Sequence, residues 1–504
     1  MIANIALFSF LDNSINTRLL SSYLKKNGYE VTCFFCEGSL NRCNSRELIR
    51  ILKEKKIDFA GVSLVTDNFL SAVTLTKIIK EDLHIPVIWG GAHVNVMPEE
   101  CLRYADMICL GEGEEALLEV ANSISQNKHN TEIKNIWFKD RGNIIRNELR
   151  SLEENLDKYP FPDFDFDTQY FMNSEDFSQR SRQKKTLEYS LMTSRGCPYR
   201  CSYCYNSYRW KNYAGKGKYV RTRSIENVIE ELVSAKQYFG KIERVNIWDD
   251  SFLVRDIDNL LKFKELYVRK INIPFFIMAE PMAFNEEKIK ILKNSGLSEI
   301  QMGIQSGSER VNRDVYNRPI SNEKILDISR VIHQLGIRVK YDIIFNNPYE
   351  NKDDLLETIG LLRRFPKPFF LQGYNLIFYP GTEITETALK DQYISKKAQR
   401  KEDFSTIQGK NNSPIALDKK DIVSSRFYDI EYRTKEKDYL NIVISTLGFK
   451  YVPDGFLDFM IKSETVFKQK MLRMLIRLYL SLGRVKRFID SARNAYFMKT
   501  LKRT

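Results

Sequence analysis

Apolar residues in the first 125 positions fall in short runs, separated by longer stretches whose apolar positions recur at helical spacing. The runs Asn4–Phe10, Glu30–Phe35, Phe59–Val65, Val87–Trp89 and Met107–Leu110 read as buried strands. Between them Asn16–Asn27, Ser45–Lys55, Asn68–Asp82 and Glu114–Ser125 read as helices. Strands alternating with helices predict a doubly wound, Rossmann-like parallel sheet, which takes its ligands beyond the carboxyl ends of its strands.

A second alternating series begins at Glu188. Its strands are Glu188–Thr193, Arg244–Trp248, Pro274–Ala279, Glu299–Ile304, Arg338–Phe345 and Phe370–Ile377. Ser224 caps the first of its helices, where Ile225, Val228, Ile229, Leu232 and Val233 recur at helical spacing. Further helices are expected at Asp258–Arg269, Glu286–Asn294, Asn322–Leu335 and Lys352–Arg364. Six strands wound this way predict a partial TIM-like (β/α)6 barrel, with its chemistry at the strands' carboxyl ends. The expected organisation is an α/β chain in four parts: a Rossmann-like domain at 1–128, a hairpin and linker at 129–183, the barrel at 184–394, and a mostly helical region at 395–504. Pro160 and Pro162 mark the linker as extended, because each proline biases its predecessor away from helix.

Charge changes the picture only at the end of the chain. Phe467–Thr504 holds eleven Lys or Arg against the single acid Asp490, which accounts for ten of the thirteen net positive charges. With Met471, Leu472, Leu475, Leu478, Tyr479 and Leu482 at helical spacing, this tail suits peripheral contact with an acidic membrane surface, a phosphorylated substrate or a leader peptide, and equally a helix packed on the barrel. No recognisable nucleic-acid module accompanies it. The lack of a secretory leader and of an uncharged membrane-length run points to a cytoplasmic protein.

Candidate chemistry centres on Cys197, Cys201 and Cys204, three thiols in one short loop. Three thiolates on a four-iron cubane leave one iron open. A zinc knuckle short of one ligand and three merely buried thiols are the alternatives. Structural zinc wants four ligands, and the next candidates are as distant as Cys109, His129 and His333. Cys33, Cys36 and Cys43 likewise lack a fourth partner.

Cysteine, three residues, cysteine, one residue, the aromatic Tyr203 and cysteine resembles the signature loop of the radical S-adenosylmethionine (radical SAM) enzymes. The resemblance implies a [4Fe-4S] cluster whose open iron is chelated by S-adenosylmethionine. Reduction by a donor such as flavodoxin or ferredoxin would then release a 5'-deoxyadenosyl radical. It also implies cofactor contacts. Asp249 and Asp250 suit the methionyl ammonium, or a helix cap. Gln305 and Ser306, within Gly303–Glu309, suit the ribose, and Arg318 suits the methionyl carboxylate, or is a surface arginine. Asp342–Pro348 resembles the family's fifth-strand segment, with Asn346 and Asn347 where relatives carry glycine.

The front of the chain resembles the cobalamin-binding domain that precedes many radical SAM domains, on Ser63 after the third strand, Gly90, Gly91 and His93 after the fourth, and Gly111 and Glu112 after the fifth. Paired glycines let a bulky ligand lie against the backbone. The first loop, Leu11–Asn16, lacks the histidine that coordinates cobalt from below in mutases, and His93 is no replacement for it. This implies cobalamin bound without that histidine, as in radical SAM methylases, or a domain that keeps the fold alone. The expected activity is methylation of an unactivated carbon, or of phosphinate phosphorus, in a small-molecule, lipid or peptide substrate. The alternatives are a non-methylating radical cyclase or rearrangement enzyme and a non-catalytic sensor.

Overall fold

The structure, a computed structural model, describes residues 2–396 apart from 12–13, 38–41, 141, 174–176 and 180–187, and beyond them 428–430 and the positions 440, 441, 443, 444, 447, 455, 458 and 461. The basic tail and its expected helical face lie outside the described residues. The chain divides into two compact units, one reaching to Gln301 and resuming at Ile377, the other built on Met302–Leu376 with positions beyond 430.

The first sheet has nine strands: β1 (Asn4–Ser9), β2 (Glu30–Cys36), β3 (Phe59–Ser63), β4 (Val87–Gly90), β5 (Met107–Cys109), β6 (Ile136–Asp140), β7 (Asn143–Arg146), β8 (Gln169–Met172) and β9 (Phe177–Gln179). Their order is β7-β6-β5-β4-β3-β1-β2-β8-β9. The run from β5 to β8 is parallel, with β1 pairing both β2 and β3, and an antiparallel hairpin closes each end. The strand order reverses beside β1, and at such a switch point the loops at the carboxyl ends diverge and leave a crevice. Buried side chains face both sides of the sheet, among them Phe8 stacked on Phe34 at 4.8 Å and fully buried Trp89, whose Nε1 donates to Thr76 at 2.8 Å.

β8 and β9 were not expected, and the segment read as an extended linker is anchored to the helix Ile15–Lys26. Asp163 accepts from Ser21 Oγ at 2.6 Å and pairs with Lys25 at 2.9 Å. Buried Arg18 donates to the Asp163 carbonyl and lies against the rings of Phe35 and Phe164. The anchorage lies in side-chain contacts across about 145 residues of sequence, which periodicity does not register.

The second sheet has six strands in the order β10 (Glu188–Leu191), β13 (Arg244–Ile247), β14 (Phe275–Ala279), β15 (Leu297–Gln305), β16 (Arg338–Phe345) and β17 (Phe370–Asn375). These are the expected barrel strands, each within a few residues of its predicted bounds. A two-stranded antiparallel pair, β11 (Ser194–Arg195) with β12 (Arg221–Thr222), brackets the cysteine loop. Ser224 caps its helix by accepting from Asn227 N, and Asn351 with Asp354 forms a capping box at Lys352–Arg363. Among the described residues no helix is long and apolar enough to cross a membrane.

Candidate functional site

In the first unit the chain leaves β10 and is gripped at once. Fully buried Asp249, just past β13, accepts from the backbone N–H of Thr193 at 2.5 Å and of Ser194 at 3.0 Å, and from the Thr193 hydroxyl at 2.5 Å. Burial raises the Asp249 pKa against the opposing charge of Arg255, whose own Nη2 donates to the Thr193 carbonyl at 2.8 Å. Gly196 then turns at φ +88°, where a Cβ would stand 2.4 Å from the Tyr219 carbonyl, so only glycine passes. Cys197, Cys201 and Cys204 follow, with the Cys204 N–H donating to the Cys201 carbonyl at 3.0 Å. Burial pushes the Cys197 and Cys204 thiols up to about 12. Each is therefore a neutral thiol unless a cation stands beside it. Among the described residues no three Cys, His, Asp or Glu side chains converge as the ligands of a single ion would.

A cavity of about 270 Å³ opens beside this loop. One wall is the set of strand ends in the first sheet: Ser63 closing β3, Gly90 closing β4 with Gly91 next to it, and Gly111 and Glu112 after β5. The facing wall is Met192, Arg195, Gly196, Tyr205, Arg209 and Asp250. Of the two aspartates Asp250 is therefore the one on the cavity, while the Asp249 oxygens are engaged behind it. Asn95 ties the glycine loops together, donating to the Gly91 carbonyl and accepting from Gly111 N, both at 2.8 Å.

His93 stands apart from the glycines beside it. It is fully buried, with Nδ1 3.3 Å from Thr66 Oγ1, Nε2 3.6 Å from a Glu100 oxygen and its ring edge-on to Phe69, and it does not line the cavity. It begins a short helix, Ala92–Val96, whose backbone turns that side chain into the core. Tyr203 is half-buried and also outside the cavity wall.

Glu112 is the carboxylate on which three arginines converge. Arg195 at 2.9 Å and Arg221 at 2.5 Å hold its carboxylate, with Arg209 at 3.6 Å, while Arg195 also pairs with Glu114 at 2.5 Å. Burial opposes the charged form of Glu112, but these guanidinium groups outweigh it and lower the pKa to about 2. The helix Tyr205–Asn212, which starts directly after Cys204, adds two phenols to the same join: Tyr208 donates to the Asn95 carbonyl at 2.9 Å, and Tyr213, just past its end, accepts from Glu112 N at 3.2 Å.

In the second unit β15 ends in a tight turn. Gln305 has φ +70°, and Ser306 N donates back to the Ile304 carbonyl at 3.0 Å. The Gln305 amide folds over Gly303, where a Cβ would lie 2.3 Å from Nε2. Arg318 is 1 % exposed and donates to the Gly303 carbonyl at 2.6 Å, so it is no surface arginine. Ser306 is buried, donates to Glu350 at 2.8 Å, and has its carbonyl held by Asn312 at 2.6 Å from the π-helical turn Val311–Val315.

Residues 191–362 match the model of the radical SAM superfamily, and residues 10–121 match that of the B12 binding domain. The chain carries a radical SAM domain behind a B12-binding domain. It is 26% identical over 370 residues to an uncharacterized methyltransferase of Pyrococcus horikoshii, covering 72% of this chain and 75% of that one. It is 23% identical over 380 residues to the cytidylyl-2-hydroxyethylphosphonate methyltransferase of Streptomyces wedmorensis, covering 65% and 68%. Its fold is similar to that of the radical S-adenosylmethionine methyltransferase TsrM of Kitasatospora setae, solved with cobalamin and a [4Fe-4S] cluster bound, at a TM-score of 0.62 and 16% identity over 79% of this chain and 80% of that one.

Several residues at these sites carry no signal of their own in the sequence: Arg195, Arg209, Arg221, Tyr205 and Asn95 in the first unit, Glu350 in the second. Spacing from the cysteines does mark some of them. Tyr205, Arg209 and Tyr213 follow the last cysteine at a spacing of four, which puts them on one helical face.

Proposed function

We propose that this protein is a cobalamin-dependent radical SAM methyltransferase acting on an unactivated carbon, or on phosphinate phosphorus, of a small molecule. The observation that carries the reading is the shared cavity: the glycine loops of the B12-binding part and the residues flanking the cysteine loop form two walls of one space. A ligand lying on Gly90, Gly91 and Gly111 is thereby adjacent to Gly196, and a group transferred from it has a short path to chemistry at the cluster. When bound, the cluster and S-adenosylmethionine supply one-electron chemistry and the corrinoid carries the methyl group.

The residues suit these groups. Desolvated thiols at Cys197 and Cys204 become thiolates only against a cation, which an iron cluster provides. A Cβ on Gly90 would meet nothing nearer than 3.9 Å and would project into space that a flat macrocycle can use. In this reading Cys197, Cys201 and Cys204 ligate the cluster, with Tyr203 packed beside it. Asp250 receives the methionyl ammonium, and Asp249 holds the loop that carries Cys197. In the second unit Gln305 and Ser306 are assigned to the ribose and Arg318 to the methionyl carboxylate. Ser63, Gly90, Gly91, Gly111 and Glu112 are assigned to the corrinoid, and His93 to the core beneath them. Residues 1–128 with β8 and β9 make up the corrinoid part and 184–394 the radical SAM part.

Anaerobically reconstituted full-length protein tests this. Expected are a corrinoid absorption spectrum, reductive release of 5'-deoxyadenosine and methionine from S-adenosylmethionine, and loss of that release in Cys201→Ala. Protein that carries zinc in place of iron, or that cleaves S-adenosylmethionine without ever retaining a corrinoid, overturns the proposal.

A further inference from the structure

The helix Tyr205–Asn212 brings two polar side chains to the cavity of the first unit, Tyr205 and, one turn on, Arg209. Positions four apart lie on one face of a helix. The other phenols of this stretch are engaged, Tyr208 with the Asn95 carbonyl and Tyr213 with Glu112 N. Tyr205 stacks on Tyr208 at 6.1 Å, and among the described residues its hydroxyl has no hydrogen-bond partner. The Arg209 guanidinium likewise makes no hydrogen bond among the described residues, and reaches Glu112 only at 3.6 Å. Both Glu112 oxygens are already taken, one by Arg221 at 2.5 Å, the other by Arg195 at 2.9 Å and Arg221 at 3.1 Å.

The charges do not balance here. Glu112 and Glu114 are matched by Arg195 and Arg221, which leaves Arg209 as a third, permanently charged guanidinium. Asp250, on the same wall of the cavity, forms no ion pair with it among the described residues. With its side chain 22% exposed, Arg209 has lost much of its hydration without gaining a hydrogen bond, a costly state that an anion in the cavity relieves. Arg209 stands on the wall that faces Gly90, Gly91 and Gly111. A corrinoid lying on those glycines leaves this wall to what enters between it and the cysteine loop. The ammonium of S-adenosylmethionine is assigned to Asp250 and its carboxylate to Arg318, so the anion left for Arg209 is the substrate's.

We propose that Arg209, with the Tyr205 hydroxyl beside it, selects substrates that carry an oxyanion, a phosphonate, phosphate or carboxylate. The guanidinium fork matches two oxygens of one such group. This rests on the reading above that methyl transfer takes place in this cavity.

The test is equilibrium dialysis of labelled methylphosphonate, and of its uncharged dimethyl ester, against full-length protein loaded with cluster and corrinoid. Wild type is expected to bind methylphosphonate about tenfold more tightly than the ester, the worth of one charge-assisted hydrogen bond. Competition by acetate tells whether the site prefers a carboxylate or a phosphoryl group. Arg209→Leu is expected to bind methylphosphonate about tenfold more weakly and the ester unchanged, and Arg209→Lys, which keeps the charge without the fork, to fall between. Tyr205→Phe, which keeps the ring stack, is expected to weaken methylphosphonate about threefold, and it serves if Arg209→Leu does not assemble its cluster. Equal binding of charged and uncharged probes by wild type, or Arg209→Leu that binds methylphosphonate as wild type does, overturns the assignment alone. So does Arg209→Leu that loses affinity for cobalamin but not for cobinamide, since the anion is then the phosphate of the corrinoid tail. Protein that never retains cluster or corrinoid overturns the assignment together with the reading beneath it.

Discussion

Glu112 and Arg221 form an ion pair at 2.5 Å that joins the loop after β5 to the strand after the cysteine loop. Both side chains are withdrawn from water, at 13% and 2% exposure, and Arg195 approaches the same carboxylate. Removing one partner of a buried pair leaves an uncompensated charge, which costs about 3–5 kcal/mol. Glu112→Ala is therefore expected to lower the unfolding free energy of the full-length protein, read from a urea titration, by that measure. The exposed Glu54, paired with Arg50 on a helix surface, is the control. Its replacement by alanine is expected to cost under about 0.5 kcal/mol.

The same pair sets an acid limit. The Glu112 pKa falls from an ordinary 4.5 to about 2 in the folded protein. As pH drops, the unfolded chain takes up this proton first, so the stabilisation is complete above the ordinary value and drains away as pH falls toward the folded one. Denaturant titrations of wild type and Glu112→Gln are expected to diverge at neutral pH and to converge through this acid window. A constant gap throughout would contradict the ion-pair account.

Gly90 and Gly91 are adjacent in sequence and opposite in what they tolerate. At Gly91, φ is +101° and a Cβ would stand 2.5 Å from the Leu64 carbonyl, so Gly91→Ala forces the backbone to move. At Gly90 a Cβ meets nothing nearer than 3.9 Å. Gly90→Leu is expected to fold and assemble its cluster while losing corrinoid absorbance, because the side chain fills the cavity. Gly91→Ala is expected to lose corrinoid and thermal stability together.

This contrast between neighbours also marks how far the sequence is legible. Local signals carry the elements: Glu114–Ser125 and Arg338–Phe345 match their predicted bounds, since apolar spacing and caps are properties of a dozen consecutive residues. The cysteine loop was equally legible, because its spacing is its chemistry. β8 and β9 were missed because what holds them is Arg18 and Asp163, more than a hundred residues apart. The Glu112 cluster was missed for the same reason, its three arginines coming from β11, β12 and the helix between them. His93 misled because a histidine beside paired glycines looks exposed in sequence, while the backbone of its short helix turns it inward.

Asp249 and Asp250 provide the sharpest separation of holding from binding. The Asp249 carboxylate accepts three hydrogen bonds from Thr193 and Ser194, and an amide at that position accepts through one oxygen only. Asp249→Asn is expected to release the strand that leads into Cys197 and so to reduce iron content per chain severalfold. Asp250 makes no such contact and lines the cavity, so Asp250→Asn is expected to keep its iron. If Asp250 receives the ammonium, that variant binds S-adenosylmethionine about tenfold more weakly, the loss of one charge-assisted hydrogen bond. Iron analysis and dialysis on the two variants check both halves. The reverse pattern, iron lost with Asp250→Asn and affinity lost with Asp249→Asn, would exchange the two roles.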